Sequence, residues 1–212
     1  EHLALSCASH QGDSLHTQAV SKWLASLDLS EKDLRCGTHW PLGKETTNEM
    51  VRLGKEPCQI HNNCSGKHSG FLTLNKFLKG DAEYIDINHP VQKSILSVFE
   101  EMTGETSSGY GIDGCSAPNH ATSLKGLATA MAKMGVGERG PASLRLVEAM
   151  AKYPLLVAGE GRACSELMSV IGGRVVLKTG AEGVYTAILP KQGLGIALKI
   201  EDGATRGSAC SI

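Results

Sequence analysis

Arg174-Val175-Val176-Leu177-Lys178, Val184-Tyr185-Thr186-Ala187-Ile188-Leu189 and Leu194-Gly195-Ile196-Ala197-Leu198-Lys199-Ile200 are three short runs rich in β-branched and aliphatic residues. Gly180-Ala181-Glu182-Gly183 and Pro190-Lys191-Gln192-Gly193 separate them. Runs of this length bounded by glycine and proline read as strands, and connections this short join antiparallel neighbours. Residues 174–200 therefore predict a three-stranded meander. Nearly everything before it reads as helix, and helices followed by a sheet make an α+β domain, here a single one over residues 1–212.

Upstream of the meander, Cys164 to Ile171 reads as helix, Tyr153 to Gly161 as irregular, and Pro141 to Lys152 and Ser123 to Met134 as two further helices. Pro90 is well placed in the first turn of another, on which Val91, Ile95, Val98, Phe99 and Met102 form one stripe. Asp13 or Ser14 caps a helix to about Leu27, since Leu15, Ala19, Trp23, Leu24 and Leu27 recur at helical spacing. Ser30 to Leu34 predicts one more helical turn, and Thr46 to Leu53 a short amphipathic helix. Leu3 to Ala8 reads as a buried apolar strand that begins without a polar lead-in. Twelve residues follow Ile200, with no element among them to cover the sheet, so both ends read as cut short.

Hydrophobic residues make up 41% and charged residues 20%, ordinary for a soluble globular chain, while aromatics are only 4%. The core must then rest on Leu, Ala, Val, Ile and Met. A formal net charge of −1 without a long basic or acidic run argues against nucleic acid or an anionic membrane as a partner. No apolar run approaches membrane-spanning length, and no signal-peptide pattern opens the chain. Seven cysteines, an odd count, fit a reducing, cytoplasmic compartment, with several of them serving as core packing.

The densest chemistry lies in His61-Asn62-Asn63-Cys64-Ser65-Gly66-Lys67-His68-Ser69-Gly70, directly before a helical run through about Leu78. Cys64 and Lys67 stand three apart and project from one helix face. The helix N-terminus and the neighbouring ammonium both favour a thiolate at Cys64. Three readings stand open: a buried packing thiol, a cysteine nucleophile with a histidine base, and a metal ligand. Thiolates suit zinc, and Cys115, in the second unusual loop Gly111-Ile112-Asp113-Gly114-Cys115-Ser116-Ala117-Pro118, offers another. Lysine joins such a site only by losing a proton from a pKa near ~10.4, a shift that an adjacent cation supplies.

Lys178-Thr179-Gly180 closes the first strand of the meander. An exposed strand-end lysine before a turn accounts for it. So does the K-T-G of penicillin-recognising serine enzymes, where it lines the active site. Those enzymes also carry S-x-x-K, which occurs nowhere in these residues. Ser9-His10 reads locally as a turn.

Laid side by side, these stretches resemble the asparaginase II family, the class 3 or rhizobial-type L-asparaginases. The resemblance is carried by Cys7-Ala8-Ser9-His10, Leu34-Arg35-Cys36-Gly37-Thr38-His39-Trp40-Pro41-Leu42, His61 to His68, and Asn88-His89-Pro90-Val91-Gln92. Gly111 to Cys115 with Pro118, and Ala197 to Gly203, continue it. The block from His61 to His68 is its most specific part.

That resemblance implies a fold like the serine β-lactamases and glutaminases, a homodimer, and hydrolysis of L-asparagine to L-aspartate and ammonia. It implies catalytic roles for Ser9 and Lys178, substrate contacts from His10, His68 and Asp113, and a zinc ion held by Cys64, Lys67 and Cys115. It also implies that the family's S-x-x-K pair and its C-terminal part lie outside these 212 residues, and Thr205 to Ile212 carries none of the stretches on which the resemblance rests. Two other readings remain: a hydrolase with Cys64 as the attacking group, and an inactive homologue that keeps a metal-binding or interaction role.

Overall fold

In the computed structural model, which describes residues 1–212, the chain opens as helix α1 (His2–Ser6), not as the strand predicted from Leu3 to Ala8. Leucine and alanine are strong helix formers, and a run this short carries no period that separates helix from strand. Ala4 and Leu5 have no exposed surface, because α1 packs against α2 (Ser14–Ser26) and α4 (Ser65–Leu78). Between those two run one 3-10 turn (Glu31–Asp33), helix α3 (Lys44–Arg52) and a second 3-10 turn (Gln59–His61).

The chain divides into two compact units, the first formed by Glu1–Ile95 and Tyr110–Asn119, the second by Leu96–Gly109 and His120–Ile212. Helix α5 (Pro90–Thr103) supplies residues to both, and starts at the predicted proline. In the first unit the buried side chains of α2 are His16, Val20, Trp23 and Leu24, the helical stripe displaced by a residue or so from the one expected. Strands β1 (Tyr110–Ile112) and β2 (Pro118–His120) pair as a two-stranded ribbon within the stretch expected to be plain loop. Strands of three residues are too short to display an alternation. The bend of this ribbon carries Asp113 and Cys115.

The second unit contains the predicted meander. Strands β3 (Val176–Thr179), β4 (Val184–Leu189) and β5 (Leu194–Lys199) lie antiparallel in the order β3–β4–β5, with Lys178 opposite Thr186 and Thr186 opposite Ala197. Helices α6 (Leu124–Val136), α7 (Pro141–Lys152) and α9 (Ala163–Ile171) fall where the periodicity puts them, each within two residues. Two expectations are corrected. The irregular stretch after Tyr153 contains a short helix α8 (Pro154–Val157), and the terminal residues form α10 (Thr205–Ser211). The sheet is therefore covered: α6 packs on β4 and β5, α7 and α9 on β3, and α10 on β4. Thr205–Ser211 has no apolar period of its own, so only tertiary packing reveals it as helix.

The core is aliphatic and methionine-rich, as the scarcity of aromatics requires. Val147, Met150, Val157, Met168, Val176, Leu177 and Ile188 are all buried in the second unit. Tyr185 is buried too, and its hydroxyl lies 3.0 Å from Cys164 Sγ, which also accepts the Thr179 N–H at 3.2 Å. That thiol is a structural pin at the K-T-G end of β3.

Candidate metal centre

Cys64 occupies the N-cap position of α4, so Lys67 and His68 follow on the same face one turn later. Asn62, itself buried, fixes the approach to this helix. Its Oδ1 accepts the Cys64 N–H at 2.8 Å, and its Nδ2 donates to the Cys36 carbonyl at 2.7 Å. Gly66 is dictated by packing: a Cβ there would lie 2.3 Å from the Leu5 carbonyl oxygen of α1. Ser65 donates to the Ile60 carbonyl at 2.9 Å and receives His10 Nε2–H at 3.0 Å.

The ribbon between β1 and β2 brings the second unusual loop to α4. Cys64 Sγ, Cys115 Sγ and a carboxylate oxygen of Asp113 all lie within 4.8 Å of one another. Lys67 Nζ is 3.0 Å from Cys115 Sγ and 3.3 Å from Asp113 Oδ2. Ligands about 2.0–2.3 Å from a tetrahedral zinc are separated from each other by roughly 3.3–3.8 Å, and these donors lie within that neighbourhood of one another. Two sulfurs with nitrogen and oxygen donors also match zinc by softness. The residues present fit the metal.

Without a cation the cluster is an ion network. A hydrogen bond from the Cys64 thiol is the largest influence holding Cys115 far below the ordinary thiol range, with His68 and Lys67 adding to it. The same hydrogen bond, together with burial, pushes Cys64 up, so it stays a thiol. One proton shared between the two sulfurs leaves the pair with a single negative charge. Burial pulls Lys67 down, but the charges of Cys64, Cys115 and Asp113 outweigh it and keep the amine an ammonium. For Lys67 to become a ligand, an entering cation has to displace that proton. Cys36, pushed up to about 12 mainly by burial, donates to the Gln59 carbonyl at 3.4 Å and is a packing thiol.

An outer ring supports the cluster, and sequence reading misses its central member, Tyr84. Its hydroxyl accepts the Arg35 N–H at 2.7 Å, which leaves its own proton for His68 Nδ1 at 2.9 Å. His68 is then the Nε2–H tautomer. Nε2 has no partner within hydrogen-bond geometry, while the ring is close enough to Cys115 to lower that thiol. A buried tyrosine 16 positions beyond the histidine leaves no local pattern to find it by.

The predicted site residues fall into three groups. Cys64, Lys67, Asp113 and Cys115 converge, with His68 fully buried directly behind them. His10 is also fully buried, with Nδ1 accepting the Gly12 N–H at 3.1 Å and Nε2 donating to Ser65, so both nitrogens are engaged inside the fold. Ser9, half-buried, precedes it, and His10 N–H donates to the Asn63 carbonyl at 3.0 Å, which ties this loop to the motif. Lys178 lies half-buried near the end of β3 in the second unit, its Nζ donating to the Thr179 carbonyl.

No helix of the chain is long and apolar enough to cross a membrane. No curated protein matches the chain. The family described as L-asparaginase II matches residues 1–212, and the chain belongs to that family.

Proposed function

We propose that this chain serves the hydrolysis of the side-chain amide of L-asparagine to L-aspartate and ammonia, with a zinc ion held by Cys64, Lys67 and Cys115. The observation that carries the reading is the convergence of two sulfurs, an amine and a carboxylate, from two distant loops, in a member of the L-asparaginase II family. When bound, the zinc supplies a fixed positive charge for the α-amino or carboxylate end of the substrate. Asp113, whose side chain is 38% exposed, is the carboxylate open to an incoming α-ammonium group. His68 stands buried behind the cluster, and His10 supports the loop that presents Ser9.

Amide hydrolysis needs a nucleophile, a proton for the leaving ammonia and a polarised carbonyl. The S-x-x-K pair to which the resemblance assigns the attack has no counterpart in these residues. The contribution proposed for them is a proton relay or amide-orienting hydroxyl at Ser9 and an ammonium at Lys178 that lowers the pKa of a serine. The proposal extends to a serine β-lactamase-like fold, a homodimer and a cytoplasmic setting in which no disulfide joins any of the seven cysteines. Depth of the pocket by about one methylene decides between asparagine and glutamine.

The test is calorimetric binding of L-asparagine to Cys64→Ser beside the parent chain. Loss of zinc together with weakened L-asparagine binding is expected; loss of zinc with unchanged binding overturns the substrate-holding role. Attack by Cys64 itself predicts the opposite sensitivities, inactivation by iodoacetamide and indifference to chelators. Burial of Cys64 disfavours that route.

A further inference from the structure

Two cysteine sulfurs brought together from separate loops are a dithiol as well as a ligand pair. Cys64 Sγ and Cys115 Sγ lie within 4.8 Å of each other. The chain's other two buried thiols are engaged elsewhere: Cys36 donates to the Gln59 carbonyl, and Cys164 lies against the Tyr185 hydroxyl. Cys64 and Cys115 instead face one another. Lys67 Nζ, 3.0 Å from Cys115 Sγ, supplies the positive charge that a sulfur needs to act as an anion there.

A disulfide holds its sulfurs about 2.05 Å apart, so one side of the pair has to move. Cys115 is on the movable side. It sits in a turn that the Ser116 N–H closes on the Asp113 carbonyl at 2.8 Å. Where a Cβ would stand on Gly114 there is open space, so no neighbour wedges the turn on that side. Ser116 takes a left-handed conformation at φ 68°, which costs a side-chain-bearing residue about 1–2 kcal/mol, so a backbone shift there gives up little. The two sulfurs are covered, but the side chains of Lys67 and Asp113 beside them are 28% and 38% exposed. The cluster therefore meets solvent on that side, and a small oxidant arrives there.

We propose that in the metal-free chain Cys64 and Cys115 are a redox pair, which hydrogen peroxide joins in a reversible disulfide that closes the metal site. The closing of the site rests on the zinc reading above; the pairing of the sulfurs does not. The anionic sulfur of the pair attacks one peroxide oxygen, an S–O bond forms and the O–O bond breaks. Hydroxide leaves and takes a proton from solvent. The second sulfur then attacks the sulfenic acid, the S–S bond forms, the S–O bond breaks, and the thiol proton leaves with the oxygen as a second water. Each sulfur gives up one electron, and the peroxide takes both.

The test treats the full, chelator-stripped chain with hydrogen peroxide, alkylates the remaining thiols under denaturing conditions, and maps the digest by mass spectrometry. The peptide holding Cys64 is expected to be joined to the one holding Cys115, and dithiothreitol is expected to return both as free thiols. Zinc affinity, measured by competition with a chromophoric chelator, is expected to fall by more than about 100-fold in the oxidised chain, beyond the cost of losing an outer partner, and to recover on reduction. The map needs no variant that has to fold. Cys64 and Cys115 both alkylated after peroxide overturns the proposal. So does either one ending as an unpaired sulfinic acid or bridged to a different cysteine. An oxidised chain that holds zinc as tightly as the reduced one overturns the closing of the site. A reduced chain that binds no zinc defeats the zinc reading alone, and the map still decides the pairing.

Discussion

A thiolate, a thiol, an ammonium and a carboxylate crowd together at α4, and each is held by a neighbour that local sequence does not reveal. Tyr84 is the clearest of these neighbours. Tyr84→Phe removes the hydroxyl between Arg35 N–H and His68 Nδ1, freeing the ring behind Cys115. Zinc affinity is expected to fall about 10–100-fold, measured by competition with a chromophoric chelator. An unchanged affinity would show that the ring needs no such anchor. Cys115→Ser removes the charged sulfur itself and should cost more than Tyr84→Phe. That Cys64 and Lys67 share one helix face was legible from their spacing, whereas the approach of Cys115 depends on the ribbon that carries it. The sharing of one proton between Cys64 and Cys115 was not legible, because it depends on how close the ribbon brings the second sulfur.

At the scale of elements, α6 depends on an acidic residue far from it in sequence. The N-cap Ser123 Oγ accepts the Gly126 N–H at 2.9 Å, and Glu105 in turn accepts Ser123 N–H at 2.9 Å and Thr122 Oγ1–H at 2.7 Å. Hydrogen bonds from the Ser123 side chain and backbone, then from Thr122, lower Glu105 from 4.5 to about 2. The folded value lies below the unfolded one, so this contribution is complete above about pH 4.5 and is lost as the pH falls towards 2. Acid unfolding of Glu105→Gln should show a shallower pH dependence than the parent across that window, and an identical one would remove Glu105 from the account. In α4 the demand is steric. Gly66→Val drives a side chain into the Leu5 carbonyl and is expected to destabilise the chain by about 1–3 kcal/mol in urea unfolding. The meander and the longer helices were readable from period and punctuation. The opening helix, the β1–β2 ribbon and α10 were not, since each is too short or too irregular to carry a period and is fixed by what it packs against.

For the molecule as a whole, family membership over residues 1–212 makes L-asparagine the first substrate to offer. Binding of L-asparagine that a zinc chelator abolishes and added zinc restores is the expected behaviour; binding indifferent to chelation would separate the substrate from the cluster. The α+β class was legible from the order of helices and strands alone. The division into two units was not, because α5 runs across it without a break in its apolar stripe. The most direct test of the metal centre is X-ray absorption at the zinc edge on the zinc-loaded chain. Two sulfurs at about 2.3 Å with nitrogen or oxygen at about 2.0–2.1 Å are predicted, one sulfur disappearing in Cys64→Ser and one in Cys115→Ser. A zinc shell without sulfur, or one that neither substitution alters, would contradict it.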